Sequence, residues 1–86
     1  MVRFYCSKHL HEELDRRQIP RKLLEQVLQG PEQKVPELDN VTCYQSQVEI
    51  EGKPCLLRVM VNETVDPPVV VTVYRTSKIS KYWRRP

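Results

Sequence analysis

Only two glycines, Gly30 and Gly52, occur in the 86 residues. A phosphate-cradling loop needs several, because glycine lets successive backbone N–H groups close around the anion. P-loop and dinucleotide-fingerprint chemistry are therefore excluded. Cysteine is scarce as well. Cys6, Cys43 and Cys55 are three in number with no CxxC spacing, which suits neither a disulfide framework nor a zinc knuckle. His9 and His11 form an HxH pair, but only Cys6 lies near them in sequence. The plainer reading is cysteines acting as small apolar residues in a reducing compartment, with no metal. No apolar run approaches the roughly 18–20 residues needed to span a bilayer. The opening Met1-Val2-Arg3-Phe4-Tyr5-Cys6 has no signal-peptide core. A soluble, cytoplasmic protein with no membrane contact is expected. There is no nucleophile-elbow serine and no carboxylate cluster for divalent cations, and no cofactor is expected.

What is present is the composition of a folded protein, 40% apolar and 29% charged. Residues 1–86 are expected to form a single small domain, which buries only roughly 60–65% of its unfolded surface. The net charge of +3 is unevenly placed. Arg75, Lys78, Lys81, Arg84 and Arg85 fall in the last twelve residues with no acid among them, whereas all eleven acids precede them. That asymmetry points to an acidic partner engaged at the C-terminal end, bearing phosphates or carboxylates.

Along the chain, Ser7 reads as the N-cap of a helix over Lys8–Arg17, with Leu10 and Leu14 one turn apart. Pro20 stops that helix and opens a second. There Leu23, Leu24, Val27 and Leu28 make one apolar stripe, and Gly30-Pro31 closes it. Pro31–Asn40, with two prolines and mixed charge, reads as a connecting loop. From Val41 the period changes to two. Glu51-Gly52 is a two-residue turn that sets Ile50 opposite Lys53, Val48 opposite Cys55, Ser46 opposite Leu57 and Tyr44 opposite Val59. One face then holds Val48, Ile50, Cys55, Leu57, Val59 and Val61. The other holds Gln45, Gln47, Glu49, Leu56, Arg58 and Met60, and is expected to be open to solvent or ligand. Val69–Tyr74 supplies a β-branched third strand. The expected fold is α+β, with two N-terminal helices on one face of a three-stranded antiparallel sheet and a short basic C-terminal tail.

Several residues are candidates for chemistry. The tail interleaves Lys78, Lys81, Arg84 and Arg85 with Tyr82 and Trp83, and such mixtures hold RNA phosphates and stack on bases. The alternative is that Ile79 and Trp83 merely dock the tail while its charges stay solvated. His9, in the first turn of helix 1, is either a proton-transfer group or an ordinary surface histidine. Arg17 suits the negative end of that helix on structural grounds alone. Arg58 is the one base in mid-strand on the open face, flanked by strands carrying Tyr44 and Tyr74. RNA carries its own nucleophile, the 2′-hydroxyl. A protein then needs only a proton acceptor, a proton donor and cations for the phosphate, so metal-independent cleavage is within reach of His, Lys, Tyr and Arg.

The stretch Ser7-Lys8-His9-Leu10-His11-Glu12-Glu13-Leu14-Asp15-Arg16-Arg17-Gln18-Ile19-Pro20, with the ending Thr72-Val73-Tyr74-Arg75-Thr76-Ser77-Lys78-Ile79-Ser80-Lys81-Tyr82-Trp83, resembles a small bacterial family of unknown function. That family is similar to the BrnT and RelE-type ribonuclease toxins. The resemblance implies a RelE-like fold, a cytoplasmic setting, metal-independent RNA cleavage and a small acidic antitoxin as partner. His9, Arg17, Arg75 and Lys78 match the family's polar positions. With Arg58 and Tyr74 they form the candidate catalytic set, and Lys81, Tyr82, Arg84 and Arg85 the candidate RNA-binding set. Two positions depart from the family pattern: Glu13 stands where arginine is common and Gln18 where glycine is usual. The alternative reading is a non-catalytic module whose basic tail engages an acidic protein or nucleic acid.

Overall fold

The structure, a computed structural model, describes residues 3–85, so Met1, Val2 and Pro86 of the expected domain lie outside the described residues. Ser7 caps helix α1 (Lys8–Arg16) by accepting the Leu10 N–H at 3.2 Å. Helix α2 (Arg21–Gln29) starts after Pro20 and ends at Gly30. Both are amphipathic, and Leu10, Leu14, Leu24, Val27 and Leu28 point inward. No helix among the described residues is long and apolar enough to cross a membrane.

The sheet has four antiparallel strands in the order β1 (Gln33–Pro36), β2 (Val41–Ile50), β3 (Lys53–Asn62), β4 (Val69–Thr76). The three-stranded expectation is thereby corrected, because part of the expected Pro31–Asn40 loop pairs as β1, from Gln33↔Gln45 to Pro36↔Thr42. Four residues ending in proline carry little strand signal, yet an edge strand tolerates the missing N–H. Lys34 of β1 also bonds Glu63 at 3.2 Å and lies 4.5 Å from the centre of the Tyr44 ring, while the Tyr44 hydroxyl donates to the same Glu63 carboxylate.

The β2–β3 hairpin has the register read from the sequence, Ile50↔Lys53 through Tyr44↔Val59. Glu51 and Gly52 both take positive φ, 53° and 77°, the paired left-handed geometry of a tight hairpin turn. Strand β4 contains an irregularity: Met60 pairs Thr72, but Val61 pairs Val70. Val71 is the extra residue and is 53% exposed. Val70 and Val73 are three apart and would face opposite sides of a regular strand. The bulge turns both into the core.

The helices pack on one face, α1 against β4 and α2 against β2 and β3. There Leu10, Leu14 and Leu24 meet Leu57, Val59, Val61 and Val73. Tyr44 belongs to this face too, edge-on to Phe4 with ring centres 6.0 Å apart. After β4 the chain turns into a four-residue helix, α3 (Ile79–Tyr82). Its cap position is Lys78, with no side-chain cap bond.

Leu57 is fully buried at the centre of the helix-bearing face, so Leu57→Ala should lower unfolding free energy by about 2–5 kcal/mol in urea titration. The Glu63 carboxyl is held below its ordinary value chiefly by the Tyr44 hydroxyl, with further hydrogen bonds from Thr42 and Lys34. A depressed folded-state value stabilises the fold above the unfolded carboxyl's range, and that contribution disappears as pH falls through the folded value. Stability should therefore decline on acidification below pH ~4.5, and Glu63→Gln should flatten that part of the pH profile.

Candidate functional site

The face turned away from the helices carries a polar row in strict cross-strand register: Gln33, Gln45, Arg58 and Tyr74, one from each strand. Side chains directly opposite on one face are near neighbours, and these four are bonded in sequence. Gln45 Nε2 donates to Gln33 Oε1 at 2.7 Å, Arg58 Nε to Gln45 Oε1 at 2.9 Å, and Arg58 Nη1 to Tyr74 Oη at 2.5 Å. Arg58 Nη2 lies 3.7 Å from the Glu37 carboxylate, just beyond β1. Gln45 is 0% exposed and Arg58 5%. The face expected to be open is closed over at its centre.

The C-terminal tail closes it. The Tyr82 ring centre stands 4.4 Å from the Arg58 guanidinium carbon, and Tyr74 meets Tyr82 edge-on at 6.4 Å. Gln45 Nε2 also donates to the Tyr82 carbonyl at 3.2 Å. Gln33 holds the Arg84 main chain at both ends, accepting its N–H at 3.1 Å and donating to its carbonyl at 2.6 Å. Burial pulls the Arg58 guanidinium toward deprotonation, but the Tyr74 hydrogen bond and the nearby Glu37 carboxylate help outweigh it, leaving its pKa above the ordinary value. The cation is permanent. The neighbouring Cys43 thiol is pushed up by burial, against the pull of Arg58, and so stays protonated at neutral pH.

Over this row lies a basin of about 580 Å³ lined by Glu37, Arg58, Lys81, Tyr82, Trp83, Arg84 and Arg85. Four cations face one carboxylate there. Lys81, Arg84 and Arg85 are exposed, and none of the three makes an ion pair among the described residues. The basin is suited to a multiply charged anion.

The remaining candidates are dispersed. His9 is exposed on α1, beside Glu12, Glu13 and Arg16, and α1 packs on the opposite side of the sheet from Arg58 and the tail. Arg17 pairs with Glu13 at 3.5 Å, and Arg16 pairs with the same carboxylate, so the acid at the departing family position serves local helix pairing. Arg75 is set opposite Leu57 on the helix-bearing face and lines a separate hollow of about 280 Å³ with Lys53, Cys55 and Ser77. Lys78 is exposed at the start of α3. The structure thus joins Arg58, Tyr74, Lys81, Tyr82, Arg84 and Arg85, and does not bring His9, Arg17 or Arg75 to them. Gln33, Gln45 and Glu37 are the site residues that sequence reading passed over. The usable signal was Gln45 opposite Arg58 in the hairpin register, two polar side chains in mid-strand.

A family model described as a domain of unknown function (DUF4258) matches residues 6–75, most of the chain, and the protein belongs to that family. No curated protein and no solved structure matches. The match ends at Arg75, so it takes in the polar row but stops short of the tail that covers it.

Replacing Gln45 by alanine leaves the Arg58 Nε–H without its acceptor in a buried site and frees the Tyr82 carbonyl. Gln45→Ala should cost about 1–3 kcal/mol in chemical denaturation. Limited trypsin digestion should cut faster after Lys81 and Arg84 in the variant than in the parent.

Proposed function

We propose that this DUF4258 domain is an RNA-binding module whose C-terminal strap presents a phosphate-holding surface. The observation that carries the reading is the basin itself, where Lys81, Arg84 and Arg85 stand exposed around one carboxylate and form no ion pair among the described residues. Phosphate contacts supply most of the sequence-independent affinity for nucleic acid. Arg58 plays a positioning part: its guanidinium anchors the strap from below through Tyr82, while the outer cations meet solvent. Trp83, partly exposed at the rim, adds a ring on which an unpaired base can stack. That feature favours single-stranded RNA over an acidic protein segment.

A second reading, metal-independent RNA cleavage of the RelE type, draws support from one contact. The Tyr74 phenol is held by Arg58 beside the basin, a hydroxyl and a guanidinium in the pairing that phosphoryl transfer to an internal 2′-oxygen uses. His9 has no part in either reading, since α1 lies across the sheet.

Fluorescence anisotropy with a short single-stranded RNA tests the first reading. Arg84→Ala/Arg85→Ala should weaken binding and reduce the log–log salt slope by about 1.4, the share of two phosphate contacts on a single strand. His9→Ala should bind like the parent. An unchanged slope in the double variant sinks the proposal. Incubation of labelled RNA in EDTA separates the second reading: cleavage that is lost in Tyr74→Phe supports it, and intact RNA removes it.

A further inference from the structure

Tyr82 belongs to a strap with no buried residue of its own, yet its ring covers the one buried guanidinium of the sheet. We propose that the Arg58 face is a nucleobase subsite which Tyr82 fills in the free protein, and that the strap lifts to admit the base of a bound nucleotide. This inference rests on the RNA-binding reading above and names what part of the RNA the deeper half of the site takes.

Four observations converge on it. A guanidinium is a planar cation that accepts a flat ring on its face, and the ring it now carries, 4.4 Å away, comes from the tail. Tyr74 stands edge-on to that ring at 74°, so the space Tyr82 occupies is a slot with a cationic floor and an aromatic wall. At its edge, Gln45 Nε2 and the Gln33 amide bond main-chain groups of Tyr82 and Arg84. With the strap lifted, those amides offer the donors and acceptor that read a base edge. Finally, the strap is lightly fastened. α3 has four residues, none buried, and no side-chain cap. Among the described residues, Lys78, Lys81, Arg84 and Arg85 form no ion pair.

Tyr82 in the slot competes with the base, so the parent protein binds a mononucleotide less well than the uncovered site would. The depth of the row also matters. Gln45 is wholly shielded from solvent, and a base that replaces Tyr82 meets the same dry floor, where stacking and hydrogen bonds to the guanidinium neighbourhood are not diluted by water.

The test uses isothermal titration of the full chain with adenosine 5′-monophosphate and, separately, with inorganic phosphate. Tyr82→Ala removes the competing ring and leaves Lys81, Arg84 and Arg85 in place. It should bind the nucleotide at least tenfold more tightly than the parent, and any change in phosphate affinity should stay within about twofold. Tyr82→Phe keeps a ring over Arg58 and should match the parent. Equal nucleotide affinity in Tyr82→Ala and parent, or a gain of the same size for phosphate, overturns the subsite. Should circular dichroism show Tyr82→Ala unfolded, Tyr82→Leu, which keeps apolar bulk but loses the aromatic hold on the Arg58 guanidinium, must give the nucleotide gain instead, and its absence overturns the proposal equally. The two readings fail separately. Loss of the subsite leaves the Arg84/Arg85 salt slope intact, whereas an unchanged slope with a nucleotide gain in Tyr82→Ala removes only the outer surface.

Discussion

A guanidinium taken out of water must be met on every side, since an unpaired buried charge costs several kcal/mol. Arg58 is so placed, and much of the polar face is arranged to satisfy it. Gln45 accepts from its Nε–H, Tyr74 from one terminal nitrogen, the Glu37 carboxylate faces the other, and the Tyr82 ring lies over its plane. These partners come from β2, β4, the end of β1 and the tail. One residue's desolvation therefore ties together parts of the chain far apart in sequence, and it does so only in the register observed. A one-residue slip of β2 against β3 turns Gln45 to the other face and leaves the charge without its acceptor.

The domain divides its labour between the two faces of one sheet. Helices and leucines occupy one face, and their burial holds the fold together by non-directional means. The other face is held by directional bonds and by a strap, and it concentrates the exposed positive charge. The second face also buries Val35, Cys43 and Leu56 beside the polar row, so the strap covers a mixed surface rather than the main leucine core. The placement of His9 and Arg17 on the first face explains why a single catalytic centre spanning histidine and tail is not assembled.

The elements whose side-chain pattern is repeated over many residues were legible in the sequence. Both helices announced themselves through their leucine spacing and caps, and the hairpin register followed from a two-residue turn at Glu51-Gly52. Strand β1 was not legible: four residues ending in Pro36 show no alternation, and their pairing is dictated by β2 rather than by their own preference. The bulge at Val71 was hidden because three consecutive valines give no parity to read. As for the site, Arg58 could be placed on the sheet's second face and Tyr74 on a flanking strand in advance, and the cationic tail was plain from charge alone. Its path was not, since Gln33 and Gln45 look like ordinary surface glutamines until the chain end is laid across them.

The irregularity in β4 reaches beyond the core. This strand lies at the sheet's margin, where, among the described residues, only Tyr5 bridges its first residues. A straight, valine-rich margin is the sort of template on which a second molecule's strand adds and aggregates grow. By displacing Val71 out of line, the bulge breaks the even rhythm of outward N–H and carbonyl groups that such growth requires. The same kink that lets Val70 and Val73 share the interior thus makes that margin a poorer template for strand addition.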